Sequence, residues 1–598
     1  MRWVYVFVLV LAAGVRLVGL GHELRAGSGP MIDEVNNFVE PTLKMWVRHS
    51  PDPTVCSGYP GFFNYLIFVP VGLGRRFAGH EGAYLAARGF IAAVSVLNVI
   101  LISVLVRRLV GAGAAVFAAS LFALSRGEIR EAHQISPDVV VTGLMFVMLL
   151  LLTSQKARRW TALTAGATVG VAIAVKYTGL LLFPGLAVGL WVTRARWRDM
   201  GLTLAAALAS FALAAPYAVL AALEGGGPFG MGLLHPLAAY YGGGPSENRF
   251  TATGSFGVGQ VTAWLELSLG WVASGLAVVG LFLHRPTRCI LPTTSLALAA
   301  AAALGAANYI YPRHGLVLGG AVTILAACGL ASLVRLAPRR GLALTLALVA
   351  LALPAWTAAR LVRGYVEGAP AEKAARWLNA HAEPKASVLT SWAVLDVDHD
   401  RFEVLRVPSL QSMPRGAIET FPLILTSTNA EVDRIANTAE VLQTFAPHVV
   451  LLRPRHALEW RQLPPPTTVT ASEHAETAQA AWDGDRKTVW IGVDRESSIE
   501  ARWQQPVAAD ALQIDAGKEG LWPRDLRIEV LALDSTWSAP EVLPLRPSRR
   551  EDQRRGSRPG QLFLLDPCQT IRGIRITRVG GGTRWGLAEI RLLAAEYR

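Results

Sequence analysis

The chain has 598 residues, 52% of them hydrophobic and only 17% charged, with a formal net charge of +13. That composition excludes an ordinary soluble enzyme and argues for a membrane protein with a soluble part. The basic excess of the apolar half sits in short clusters between apolar runs, such as Arg107-Arg108, Arg158-Arg159, Arg194 to Arg198 and Arg339-Arg340. This is the positive-inside pattern of membrane proteins and not a nucleic-acid surface.

In chain order, residues 2–20 read as a retained first helix, since no convincing cleavage site follows and many apolar segments do. Further candidate spans fall at 61–79, 83–106, 112–125, 136–154, 160–175, 178–193, 199–222, 262–284, 290–308, 313–334 and 341–358. Placing the basic loops inside puts the 21–60 loop, the 224–261 loop and the tail beyond 360 outside. That arrangement needs an odd number of crossings, whereas these segments number twelve. One is therefore not a crossing, and the crowded stretch from Gly61 to Ser125 is where it is expected. The range is 11–13 spans in a mostly α-helical polytopic domain over 1–363, with a functional first outer loop at 21–60.

The tail changes character. Residues 364–466 read as a soluble α/β module, with strands at Ser387–Leu395 and Val449–Leu452 and a helical pattern around Glu431–Thr444. Residues 467–598 carry short alternating runs, ARW, LQI, LRIEVLA, GIRITRV and EIRLLA, separated by turn residues. They predict a β-sandwich of the jelly-roll kind. The four cysteines show no zinc spacing; Cys56 and Cys568 both fall outside, where pairing and free thiols remain open.

Four polar clusters interrupt the apolar half. Asp33-Glu34 lies just beyond the first span, where a carboxylate can take a proton from an attacking hydroxyl; a solvated surface pair is the alternative. The block from Ser125 to Asp138 holds Arg126, Glu128, Arg130, Glu131 and His133. Asp138 follows Pro137 at a helix start, so capping explains it as well as chemistry does. Lys176 interrupts two apolar runs and should snorkel or meet an anion. Tyr311 and Arg313 open a helix on the outside, against the usual charge bias, where the arginine suits a phosphate or merely anchors the interface.

The order of these blocks, MIDEVNNF, YPGFFNYL, AARGF, SPDVVV, GVAIAVKYTGLLLFP and YIYPRHGLVLGG, resembles the C-type membrane glycosyltransferases, which include protein O-mannosyltransferases and aminoarabinose transferases. YPGFF departs from the double-proline motif many members carry. The resemblance implies Asp33 as catalytic carboxylate with Glu34 in support, and Arg313 and Lys176 at the donor phosphate. Glu128, Asp138, His133 and Tyr311 would shape the substrate site. It implies a polyprenyl-phosphate sugar donor, a glycan, lipid or protein acceptor, and inversion at the anomeric centre. The setting would be the outer face of a bacterial inner membrane, among its lipids, with the tail on the periplasmic side. No cofactor is required, although the carboxylates leave room for a divalent metal. The run AAWDGDRKTVW, with WPRDLRIEVLALDSTW and WGLAEIRLL, resembles the discoidin (factor 5/8 type C) family, often carbohydrate-binding. In it Asp483, Gly484, Thr488 and Trp490 are expected to hold the fold. Two other functions stay open: a lipid-linked sugar flippase, and a noncatalytic polysaccharide-assembly protein that binds glycan through its tail.

Overall fold

The structure, a computed structural model, describes residues 2–22, 24, 34–53, 59–153, 158–223, 258–284, 290–306, 312–336, 340–368, 370–384, 386–391, 401–407, 418, 421–426, 439–445, 449–454, 458–483, 488–492, 496–515, 526–539, 541–545, 561–578 and 585–597. It divides into two compact units, Met1–His22 with Pro30–Glu367 and Glu23–Gly29 with Gly368–Arg598.

The first unit is helical. Its helices are α1 (Arg2–Leu17), α2 (Glu40–Arg48), α3 (Phe62–Leu109), α4 (Ala112–Leu124), α5 (Arg126–Ala132), α6 (Pro137–Leu152), α7 (Arg158–Val175) and α8 (Leu182–Val192). They continue as α9 (Trp197–Ala214), α10 (Pro216–Leu223), α11 (Val258–Ser268), α12 (Trp271–Leu283), α13 (Ile290–Ala306), α14 (Leu316–Leu336) and α15 (Arg340–Glu367). A π-helical turn at Glu34–Val39 leads into α2, and 3-10 turns at Tyr177–Leu181 and Pro312–Gly315 precede α8 and α14. Among the described residues, the helices at 62–109, 313–336 and 341–367 are each long and apolar enough to cross a membrane. The pair α4–α5, bent by 57°, would make a fourth.

The crowded stretch from Gly61 to Ser125 holds a reversal inside α3. Its backbone is non-helical at Ala78 and Gly79, the latter at φ 69°, a conformation that suits glycine. A Cβ on Gly74 would meet the Gly82 carbonyl and lie 2.7 Å from Ala86 Cβ. Residues 12 apart in a straight helix are about 18 Å apart, so the chain reverses at this break. Arg88 reaches the carbonyls of Leu20 and His22 just past the end of α1, and Ser95 accepts from Arg16 inside it. Increasing residue number beyond 88 therefore runs back along α1, and the hairpin before it projects past that end. The segment 61–79, expected as a span of its own, is the first arm of this hairpin. It packs beside α2, where Asn64 donates to Phe38 O and Trp46 to Phe68 O.

Small residues let these helices close on one another, as is usual where lipid supplies no hydrophobic drive. A Cβ on Gly329 in α14 would strike the Leu276 carbonyl of α12, and one on Gly280 would strike Leu325 O. Gly329→Val should therefore cost about 1–3 kcal/mol by overpacking. A thermal midpoint equal to wild type in detergent would show that the helices part freely.

The second unit opens with α16 (Pro370–His381), packed on a five-stranded sheet of order β2-β1-β3-β5-β4. The strands are β1 (Ser387–Ser391), β2 (Glu403–Val407), β3 (Leu423–Thr426), β4 (Ala439–Phe445) and β5 (Val449–Pro454). β1 runs parallel to β2 and β3, and β5 antiparallel to β3 and β4. Residues 439–445, read from sequence as part of a helix, are thus strand. Pairing with β5 outweighs the helix-forming Ala, Glu, Leu and Gln of this stretch, and residues 431–438 lie outside the described residues.

The sandwich comprises β6 (Leu458–Gln462), β7 (Thr468–Ala471), β8 (Trp490–Gly492), β9 (Ser498–Asp515), β10 (Leu526–Leu531), β11 (Trp537–Ser538), β12 (Glu541–Leu545), β13 (Gln561–Arg578), β14 (Trp585–Leu587) and β15 (Glu589–Tyr597). Its two layers share their long strands. One half of β9, Ser498–Arg502, pairs with β7 and with Gly573–Thr577 of β13, while Ala511–Asp515 pairs with β15. Register shifts at Leu564/Gln569 and Ile571/Gly573 let β13 follow β9 from one layer to the other. ARW and LQI, read as separate strands, are the two ends of β9. Ile499, Ile574 and Ile528 from one layer meet Leu512, Ile590 and Phe563 from the other in the core. β6, expected in the α/β module, pairs with β15. Buried Trp490 donates to Glu473 O at 2.9 Å, and Thr488 to Asp483 Oδ2 at 2.7 Å. Gly484 lies outside the described residues.

Candidate active site

The polar clusters read from sequence gather at one end of the helical unit, the end reached by α1. Asp33 and Tyr311 lie outside the described residues. Glu34 is 1% exposed and takes a two-pronged contact from Arg88, Nε to Oε1 at 2.9 Å and Nη2 to Oε2 at 2.7 Å. The Ile135 N–H donates to the same Oε1 at 2.9 Å. Arg88 spends its remaining Nη1 on the carbonyls of Leu20 and His22. One buried ion pair thus pins the loop after α1, α3 and the α5–α6 turn together.

Sequence reading missed Arg88 as a functional residue. The available signal was a lone cation in the apolar run AARGFIAAV, which calls for an anion inside the fold. Arg16 was missed in the same way. It donates to Ser95 Oγ at 2.7 Å and to the carbonyls of Ala123 and Phe122 at the end of α4. Those carbonyls lose their helical partners where the chain breaks at Ser125, so the arginine stabilises the bend that delivers α5.

Helix α5 presents Glu128 and Glu131, both buried. Arg16 is an electrostatic neighbour of Glu128, and Arg313 and Arg130 are electrostatic neighbours of Glu131. Neither Glu128 oxygen has a hydrogen-bond partner among the described residues. His133, which closes α5, faces Ile129 O and Val18 O with its two ring nitrogens at 2.8 and 2.9 Å. A neutral imidazole can donate to only one of them. The Tyr365 ring sits 4.2 Å from the rings of both His133 and His22. Burial, with Arg88 and His133 nearby, pushes His22 down to about 3. Gly19 makes room for this stack at φ 79°, where a Cβ would lie 2.6 Å from Tyr365 Cβ. His133 therefore serves as a tie between α5, the end of α1 and α15.

Asp138 and Lys176 were read as separate candidates; the structure joins them. Asp138 stands in the first turn of α6, and its Oδ2 is 2.6 Å from Lys176 Nζ, with both side chains 6% exposed. It makes no capping bond: the N-cap is Ser136, whose side chain does not cap either. Lys176 is extended, at φ −158° and ψ 141°, where α7 gives way to a 3-10 turn. Its ammonium lies 5.9 Å from the Tyr59 ring centroid and within electrostatic reach of Arg313 and Glu131. Among the described residues, no group of three or more His, Cys, Asp or Glu is placed to hold a metal.

Residues 77–219, from the end of the α3 hairpin through α10, match the sequence model of a family described as dolichyl-phosphate-mannose-protein mannosyltransferase. The expected resemblance to C-type glycosyltransferases is borne out over that stretch, which includes Arg88, α5, Asp138 and Lys176. No curated protein matches the chain. Among solved structures, ArnT from Cupriavidus metallidurans bound to undecaprenyl phosphate is 17% identical over 75% of this chain and 97% of its own, with a TM-score of 0.49. The mycobacterial arabinofuranosyltransferase AftD is 13% identical over 100% of this chain and 62% of its own, at 0.39. An F5/8 type C domain from Bacteroides fragilis is 20% identical over 23% of this chain and 97% of its own, at 0.20.

Proposed function

We propose that the protein transfers a sugar from a polyprenyl-phosphate donor to a glycan, lipid or protein acceptor at the outer face of a bacterial inner membrane. The observation that carries this reading is the convergence of the Glu34–Arg88 and Asp138–Lys176 ion pairs at one end of the helical unit, with Arg313 and Glu131 in electrostatic reach of Lys176. Six elements supply those residues, and the family match covers the middle four.

In this reading Asp33 is the general base. It removes the proton of the acceptor hydroxyl as that oxygen attacks the anomeric carbon, and the lipid phosphate departs with the bonding pair. Attack from the side opposite the phosphate inverts the centre. Glu34 holds no free role in that step, because Arg88 and Ile135 N–H occupy its oxygens; it fixes the backbone that carries Asp33. Lys176 and Arg313 neutralise the departing phosphate, which needs no metal where two cations stand close. Glu128, Asp138, His133 and Tyr311 shape the surrounding site. The outward tail would position the acceptor, its sandwich being the part similar to carbohydrate-binding discoidin domains.

The test is transfer from a panel of polyprenyl-phosphate sugars in membranes. Asp33→Asn should lower the rate about 100-fold or more, as loss of a general base does, while the lipid phosphate still binds. Undiminished transfer by that variant would remove Asp33 from the chemistry, whereas a wild type that moves lipid-linked sugar across the membrane without transferring it would favour a flippase, which needs no base.

A further inference from the structure

Trp264, on α11, belongs to none of the clusters above, yet it touches the backbone of two of them. Its indole is 7% exposed and fills a slot made by three absent side chains. A Cβ on Gly315 would strike the indole Cε2, one on Gly319 would lie 2.7 Å from Cη2, and one on Gly127 would lie 3.4 Å from Cζ2. Ser268, one turn along α11, closes the same slot, with its Oγ 3.2 Å from the Gly127 position. Gly315 ends the 3-10 turn that carries Arg313, and Gly127 immediately precedes Glu128 in α5.

We infer that Trp264 is a positioning residue that sets the distance between Arg313 and the carboxylates of α5, and so the geometry in which the donor phosphate is held. The inference rests on the transfer reading above and gives that site a spacer. The turn Pro312–Gly315 has four residues, too few for a helix to stiffen itself. The turn packs against α5, and the indole is the bulky group wedged beside that contact. A fused ring with two rotatable bonds is a rigid filler, and removing it leaves a void into which a short turn relaxes. Misplacing a binding group by about 1 Å is enough to slow a reaction about 100-fold.

The experiment is a mutant cycle on the full-length protein in nanodiscs, using the undecaprenyl-phosphate-linked sugar that the wild type accepts. Trp264→Leu and Gly315→Ala should each raise the donor KM about tenfold or more and lower kcat/KM about 100-fold, with the acceptor KM unchanged. Trp264→Phe, which keeps an aromatic ring in the slot, should retain most activity. The double variant Trp264→Leu/Gly315→Ala should outperform Gly315→Ala alone, because the smaller side chain admits the added methyl. A misfolded fraction would lower kcat and leave the donor KM untouched, and that pattern overturns the inference. So does a double variant whose losses simply multiply. A wild type that transfers no sugar from any donor overturns the transfer reading itself.

Discussion

Arg88→Ala should destabilise the helical unit by about 3–5 kcal/mol, because it leaves the Glu34 carboxylate buried without its counter-ion. The figure applies to a pair whose members are 0% and 1% exposed, where solvent screens little. The same substitution releases the carbonyls of Leu20 and His22, so the loop after α1 loses its hold on α3. Arg88→Met with Glu34→Leu should recover most of the stability, since an apolar pair strands no charge. It should not recover transfer: the bonds to Leu20, His22 and Ile135 N–H are gone, and Asp33 is carried by that backbone. The double variant is thus expected to unfold near the wild-type midpoint and to turn over about 100-fold more slowly. Thermal midpoints and transfer rates on the same preparations decide it. If Arg88→Ala alone unfolds with the wild type, the pair is no anchor.

Why sequence disclosed some of this arrangement and not the rest follows from how each residue signals itself. Lys176 and Asp138 were legible one at a time, because a charge between apolar runs is costly and therefore conspicuous. Their pairing was not legible, since they lie 38 positions apart with most of α6 and all of α7 between them. Arg88 was hidden by its surroundings. It reads as part of a helix long and apolar enough to cross a membrane, and only the carbonyls past the end of α1 reveal which end it occupies. The hairpin before it misled for a related reason. Residues 61–79 are as apolar as a span, and hydropathy cannot distinguish crossing from folding back at Ala78–Gly79. The parity of the basic loops points to the same stretch of chain as this reversal. In the tail, alternation identified strands but could not show that β9 and β13 each serve two layers. That depends on register shifts between partners, which have no local sequence signature. Residues 439–445 went the other way: good helix formers, made into a strand by the neighbour they meet.

The pairing of Lys176 with Asp138 separates holding the fold from holding the substrate, and the two side chains should fail differently. Lys176→Met removes one of the two cations assigned to the donor phosphate and leaves Asp138 alone at the start of α6, where the helix dipole still favours its charge. Undecaprenyl phosphate should then bind about tenfold or more weakly, the worth of one charge-assisted contact. Asp138→Asn instead strands an ammonium that is 6% exposed. That should cost the empty protein about 3–5 kcal/mol, but an anionic lipid can supply the missing counter-charge. Added undecaprenyl phosphate should consequently raise the thermal midpoint of Asp138→Asn more than that of the wild type, and raise that of Lys176→Met least. Raising ionic strength should weaken lipid binding little in the wild type, because the pair is buried. Equal stabilisation of all three proteins by the lipid would mean that Lys176 faces only Asp138, and that the phosphate is held by Arg313 without it.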